Sequence, residues 1–366
     1  MSDTEVKGPW TIDQTNRTSI PFSSAWISPS GMGCTDASPF KEHLLSCWDE
    51  KGSSFLLRNV SEYAEGANCA AWSPGGRFLV TGSGNHERAL RIFDLQRKQF
   101  LTVFGSHQDD LWNVCWSRSG RYIASTSQHH DPQLKLWNLH YLDANQLDAV
   151  DHSQDALFSS DELESEPIIS VRLASEISHL CNYPYNLHSL NGLYGFGPVD
   201  IDRNDSLLVT VASLKAAGQR IAVLSIPDLR ELFQFEVAHR ITDIKWSYDS
   251  RHLVFCTAEY KVYKCGPIDA YVYSSPAIEE MAVGQTDLCQ PHVWAPICAL
   301  SSGRRWRLND HPSTGRISMV DLASGRTISE IAPGSPVIDM IWNREGSHLH
   351  ALCADGARIR YKLAGY

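Results

Sequence analysis

No run of about 18 uncharged apolar residues occurs anywhere in the 366-residue sequence, so no segment is expected to cross a membrane as a helix. The opening Met1-Ser2-Asp3-Thr4-Glu5-Val6-Lys7 lacks the apolar stretch of a secretory signal. Ten cysteines are present, but no two stand as C-x-x-C, the close pairing that zinc sites use. Several alternate with apolar residues in strand-like runs (Val114-Cys115-Trp116, Phe255-Cys256), as buried thiols do. The expected setting is therefore intracellular and reducing, in cytoplasm or nucleus. A basic excess is missing as well: 32 Lys and Arg stand against 42 Asp and Glu, a net charge of −10. Duplex binders carry a basic excess or stripe, so no duplex DNA partner is expected.

Motifs of catalysis are also lacking. There is no G-x-S-x-G, no H-E-x-x-H and no Walker A run. Gly192 to Gly197 reads G-x-x-G-x-G, the wrong spacing for a dinucleotide fingerprint, and with its flanks looks like an aromatic-rich ordered loop. Asp200-Ile201-Asp202-Arg203-Asn204 copies the first half of a calcium loop, but Asp205 and Val211 stand where Gly and Glu are required. His129-His130-Asp131 offers ligand types on adjacent side chains that diverge. No cofactor, metal or catalytic residue is expected.

What the chain does have is aromatic residues, with 11 Trp, 13 Tyr and 12 Phe, and a repeat. Length alone predicts two domains. The repeat overrides that prior. Two or three apolar residues, a Trp, a Ser, two loose positions, a small residue and an apolar strand recur. The copies are Ala70-Ala71-Trp72-Ser73-Pro74-Gly75-Gly76, Val114-Cys115-Trp116-Ser117-Arg118-Ser119-Gly120, Ile244-Lys245-Trp246-Ser247-Tyr248-Asp249-Ser250 and Met340-Ile341-Trp342-Asn343-Arg344-Glu345-Gly346. Ile27 and Ile201 replace the Trp in two further copies, and a weak copy centres on Trp294. Successive anchors at 27, 72, 116, 201, 246, 294 and 342 lie 45, 44, 85, 45, 48 and 48 residues apart. Five steps agree, and the long one carries about 40 extra residues.

Each unit holds a second strand-like run, such as Leu90-Arg91-Ile92-Phe93-Asp94-Leu95 or Leu134-Lys135-Leu136-Trp137-Asn138-Leu139. Period-2 alternation between turn residues predicts short antiparallel strands, about four per unit. Units of this size cannot bury their faces alone, and radial stacking solves both burial and exposed edges. On these residues the chain resembles the WD40-repeat family from about residue 20 to its end. The family's Trp-Asp ending survives only as Phe93-Asp94, Trp137-Asn138 and Val320-Asp321. The expected fold is all-β: one seven-bladed β-propeller of four-stranded antiparallel blades over residues 1–366.

The resemblance implies a hydrogen-bonded brace in the best unit, carried over onto His107, Ser125, Asp131 and Trp137. A buried indole N–H and imidazole need such partners. His239 and Thr257 could form a partial version, but Tyr263 replaces the Trp. The last unit stops after its third strand, so residues 1–18 are expected to supply the closing strand, with Pro9-Trp10-Thr11-Ile12-Asp13 pairing with 358–363.

The extra residues form an insertion at 141–195. Between Tyr141 and Val171 there is no Lys or Arg, while Asp143, Asp148, Asp151, Asp155, Asp161, Glu162, Glu164 and Glu166 are acidic. Segment 143–166 reads as a mobile solvated loop or as an acidic docking element. Tyr183 and Tyr185 beyond it are either packed on a sheet edge or offered to a partner.

In a propeller the loops before each innermost strand line one rim. The residue four before each anchor is Ser23, Asn68, Trp112, Gly197, Thr242 or Ile338, and Asp110 and Arg240 lie six before theirs. Trp112 is either a partner hot spot or an aromatic packed between units. Asp110 and Arg240 are rim charges or simply solvated residues. Trp306 stands in the one dense basic cluster, Arg304-Arg305-Trp306-Arg307. The leading expectation is a non-catalytic scaffold for protein partners in a multiprotein complex. A second reading is an RNA- or ribonucleoprotein-associated propeller using Trp306 and the rim aromatics. A third is a propeller enzyme with scattered channel residues.

Overall fold

The computed structural model describes residues 5–7, 10–17, 25–36, 44–48, 54–58, 67–83, 88–104, 107, 109–127, 133–139, 193–214, 218–259, 261–268, 276–281, 289–294, 297–302, 316–343 and 346–363. Among the described residues every regular element is a β-strand, and each strand pairing is antiparallel.

The strands assort into seven sheets. The first holds Ala25–Ile27, Gly33–Asp36, Leu44–Trp48 and Ser54–Arg58, and the second Ala67–Trp72, Phe78–Ser83, Leu90–Asp94 and Gln99–Phe104. The third holds Leu111–Trp116, Tyr122–Ser127 and Leu134–Asn138. The fourth holds Leu193–Ile201, Leu207–Leu214, Gly218–Ser225 and Glu231–Val237, and the fifth Ile241–Trp246, Leu253–Thr257, Val262–Cys265 and Ile278–Glu280. The sixth holds Cys289–Trp294, Ile297–Ser302, Ile317–Asp321 and Arg326–Ala332, and the seventh Val337–Trp342, His348–Cys353 and Ala357–Leu363.

Every repeat anchor ends the first strand of its sheet: Ile27, Trp72, Trp116, Ile201, Trp246, Trp294 and Trp342. The residues after the anchor are explained by the turn they build. Ser73, Ser117, Asp202, Ser247 and Asn343 each accept, through a side-chain oxygen, the backbone N–H five residues on, at 2.7–3.0 Å. Their own N–H groups bond to the carbonyls of those same residues. The small residue four past the anchor is needed for its backbone: Gly31, Gly76, Gly120, Asp205, Ser250 and Gly346 all have φ between 55° and 85°. That left-handed region favours glycine, and Asn, Asp or Ser tolerates it better than branched residues do.

Apolar clusters lie between sheets. Cys34, Cys47, Trp72, Leu79 and Phe93 join the first to the second, and Val80, Ile92, Leu111, Ile123 and Trp137 the second to the third. Cys115, Tyr122, Val199 and Leu208 join the third to the fourth, and Val209, Ile221, Trp246 and Phe255 the fourth to the fifth. Val254, Val262, Val320 and Leu322 join the fifth to the sixth, and Met319, Ile331, Met340 and Tyr361 the sixth to the seventh. Ile338 and Leu352 of the seventh pack on Ile27 and Trp48 of the first. Burying one such side chain contributes about 1.5–3 kcal/mol against the entropy of ordering it. The first strands of successive sheets also touch one another, and Val337–Trp342 touches Ala25–Ile27.

The N-terminal residues enter two sheets. Trp10–Arg17 pairs along Ala357–Leu363, from Trp10↔Leu363 to Arg17↔Ala357, as the fourth strand of the seventh sheet. Before it, Glu5–Lys7 pairs with the outer edge of Arg326–Ala332 and gives the sixth sheet a fifth strand. Leu193–Ile201 is a strand where the glycine-rich sequence reads as loop. Its register shifts between Leu193 and Gly195 and again between Phe196 and Val199, and such irregularities let Gly and Pro198 sit within a strand. The strand thus begins inside the expected insertion. Residues 140–192, which include segment 143–166, lie outside the described residues.

Candidate functional site

The described rim positions picked out by the repeat share one backbone device, and Ser23 lies outside the described residues. Leu111 pairs with Ser127 and Asn113 with Thr126, so Trp112 is an extra residue in its strand, a β-bulge. Asn68 is skipped in the same way between Ala67 and Cys69, Thr242 between Ile241 and Asp243, and Ile338 between Val337 and Asp339. Gly197 falls in the second irregularity of its strand. A bulge releases one residue from the ladder and re-aims its side chain. Asn68 is exposed, Trp112 and Thr242 are half-buried, and Ile338 and Gly197 are buried. The hydroxyl of Thr242 donates to the carbonyl of Cys256 at 3.2 Å.

Charges flank this row. Asp110 is half-buried, and its N–H donates to the carboxylate of the buried Asp109 at 2.9 Å. Arg240 is exposed. Further along the first strands, Lys245 Nζ lies 3.8 Å from Asp200 and 3.9 Å from Asp243. The second carboxylate oxygen of Asp200 accepts the N–H of Trp246 at 2.8 Å. Burial pushes the Asp200 carboxyl above its ordinary range, against the opposing pull of Lys245.

A hydrogen-bonded chain supports the third sheet. His107 Nε2 and Ser125 Oγ are 2.8 Å apart, and Trp137 Nε1–H donates to the same oxygen at 3.0 Å. Asp131, the fourth residue of the implied brace, lies outside the described residues. The partial version open to His239 and Thr257 is not formed. His239 stacks on Tyr263 with ring centres 6.1 Å apart, and its Nδ1 lies 3.5 Å from Glu259. The Thr257 hydroxyl is buried away from it. The cause is the missing indole: Tyr263 offers a ring face to the imidazole where Trp137 offers an N–H.

At the turn ends of the third, fourth and fifth sheets the side chains interlock. The Arg203 guanidinium lies 3.8 Å from the Tyr248 ring centre and that of Arg118 lies 5.2 Å away. Ser119 donates to Asp205, and the Arg203 N–H donates to Ser250 Oγ at 3.2 Å. Asp202, the third position of the calcium-loop look-alike, is buried and spends both carboxylate oxygens on its own turn. Burial also pushes the Cys115 thiol well up and that of Cys265 up to about 12, so neither supplies a thiolate near neutral pH.

Of the sequence candidates, the fold brings Trp112 and Asp110 together at the start of the third sheet and places Arg240 just before the fifth. Tyr183, Tyr185 and Trp306 lie outside the described residues. Two features were not read from the sequence. One is the row of bulges. The other is the acid three before the anchor, Asp243 and Asp339, visible in Ile241-Thr242-Asp243 and Val337-Ile338-Asp339 once the copies are aligned.

Residues 56–94 and 98–138 match the family model described as WD domain, G-beta repeat. No curated protein sequence is similar to this chain. Among solved structures, the crystal structure of the Cps50 (Swd1) β-propeller domain of Myceliophteria thermophila is similar with a TM-score of 0.59 and 11% identity, covering 96% of this chain and 100% of that one. At that identity the likeness is one of fold.

Proposed function

The chain is a divergent WD40-repeat protein, and on that premise we propose that its sheets are the seven blades of one ring, closed by the N-terminal strand, that serves as a non-catalytic scaffold in a larger assembly. The seam between Ile338, Leu352, Ile27 and Trp48 supports closure, as does the pairing of Trp10–Arg17 with Ala357–Leu363. The function rests on the repeated bulge. At Asn68, Trp112 and Thr242 the first strand gives up a ladder position and turns out a side chain at the same level of three sheets. Groups spread over separate sheets suit an extended protein surface or peptide better than a small substrate, which needs convergent polar groups in a concave pocket.

In this reading Trp112 is the central anchor, because a large half-buried aromatic held on a rigid strand loses little entropy on binding. Asp110 and Arg240 steer and orient at the margin, and Tyr183, Tyr185 and Trp306 are further contact candidates. The test compares tagged native protein with Trp112→Ala and Arg240→Glu in quantitative affinity capture from the source cells. A stoichiometric protein partner that is lost with Trp112→Ala, at a melting temperature within a few degrees of the native protein's, supports the scaffold. Equal recovery by all three forms, or no stoichiometric protein, overturns it.

A further inference from the structure

We propose that Cys34 and Cys47 are a redox modification site, a thiol pair that closes to a disulfide across two strands of the first sheet. Gly33–Asp36 and Leu44–Trp48 run antiparallel with Cys34 directly opposite Cys47. Opposed residues point to the same face, with Cα atoms about 4.5–5.5 Å apart. A disulfide spans Cα separations of about 4.4–6.8 Å, so the bond forms without moving either strand far. Both side chains are fully buried in the same apolar cluster, against Trp72, Leu79 and Phe93 of the second sheet, which shows that they share that face.

The arrangement is selective. Among the described residues the other strand cysteines stand opposite residues of other kinds: Cys69 faces Gly82, Cys115 Ala124, Cys256 Val262, Cys265 Ile278, Cys289 Ser302, Cys298 Val293 and Cys353 Val337. The neighbouring register position fixes the pair further. Gly33 lies opposite Trp48, and a Cβ at Gly33 would collide with the indole, so the ring lies directly over the glycine and fits this register.

The oxidant is a low-molecular-weight disulfide such as glutathione disulfide. The thiolate of one cysteine attacks a sulfur of the small disulfide, forming a mixed disulfide and releasing one small thiolate, which takes up the proton lost by the cysteine. The second cysteine thiolate then attacks the protein-side sulfur. The Cys34–Cys47 bond forms, and the second small thiol leaves with the second proton. Two protein thiols are oxidised and one small disulfide is reduced to two thiols. Because both sulfurs are buried, the exchange proceeds through opening of the strand pair or before the first sheet packs on the second.

The experiment refolds the whole chain from urea in glutathione buffers of graded oxidation, alkylates remaining thiols and digests without reduction. Cleavage after Lys41 separates the two cysteines, so the bond appears as a linked peptide pair two hydrogens lighter than its thiols. The expected result is Cys34–Cys47 as the main linked pair in the oxidising buffers, reversed by dithiothreitol and unaffected by Cys69→Ser or Cys353→Ser. In Cys34→Ser, Cys47 should be recovered alkylated. Recovery of both cysteines as alkylated thiols in native protein refolded in the most oxidising buffer overturns the proposal. Preferential linkage of either to another cysteine does so as well. Refolding removes burial as an explanation for a negative result.

Discussion

The carboxylate of Asp339 accepts the backbone N–H of Ile27 at 2.9 Å, a buried hydrogen bond between residues 312 positions apart in the chain. It joins the first strand of the seventh sheet to the first strand of the first. Asp339→Ala leaves that N–H buried without its acceptor, which costs about 1–3 kcal/mol. Urea denaturation should show a loss of that size, and Asp339→Asn, which keeps a carbonyl oxygen, should recover a good part of it. If Asn is as costly as Ala, packing around the side chain rather than the hydrogen bond explains the effect.

Ser125 serves His107 and Trp137 at once. Removing its hydroxyl takes a partner from two buried groups, and Ser125→Ala is expected to destabilise by about 1–3 kcal/mol. Thermal melts of Ser125→Ala, Trp137→Phe and the double variant form a cycle. Non-additivity is expected, since either change breaks the same link.

Asp202 holds the N–H groups of Asn204, Ser206 and Leu207. Three other sheets use Ser at this place, where one oxygen reaches the N–H five residues on. Asp202→Ser should therefore be milder than Asp202→Ala in a denaturation series. Equal losses would show that the extra acceptor of the carboxylate is what the turn requires.

His350 is buried opposite Arg360, and burial with the nearby Arg360 and His348 lowers its pKa from 6.5 to about 4. The unfolded chain takes up this proton more readily than the folded one. Stability should thus fall as pH drops from 6.5 toward about 4, by at most about 1.4 kcal/mol per pH unit from this group, with no further loss below. His350→Leu should flatten the pH dependence of the urea midpoint across that window. An unchanged slope would assign it to the carboxylates.

Trp112 is half-buried in a bulge, outside the register of its strand. Trp112→Ala should shift the melting temperature by only a few degrees, whereas truncating the buried Trp246 should cost about 3–5 kcal/mol. A drop for Trp112→Ala as large as that for Trp246→Ala would make it a core residue.

The repeat register was legible because the anchor sits at a place with three fixed demands: a bulky apolar residue, a side-chain acceptor after it, and a residue that tolerates positive φ. Trp72-Ser73 with Gly76 and Trp246-Ser247 with Ser250 meet them in different residues, yet the spacing survives. Bulges leave no comparable mark, because Asn68, Trp112, Thr242 and Ile338 have nothing in common as side chains. Leu193–Ile201 escaped for the opposite reason: its glycines and proline signal a break, and only pairing with Leu207–Leu214 makes it a strand. His239 misled because a motif position carries its role only while its partner is present.

The pairing of residues 10–17 with 357–363 also orders events in time. A ribosome releases Trp10–Arg17 long before the segment that it must pair with, and the same holds for Glu5–Lys7 and Arg326–Ala332. The early sheets can gain their local pairings during synthesis, but the seventh can be completed only after residues 357–363 have emerged. Until their partners emerge, Glu5–Lys7 and Trp10–Arg17 have no strand to pair with, and unpaired strand edges are where chains associate wrongly.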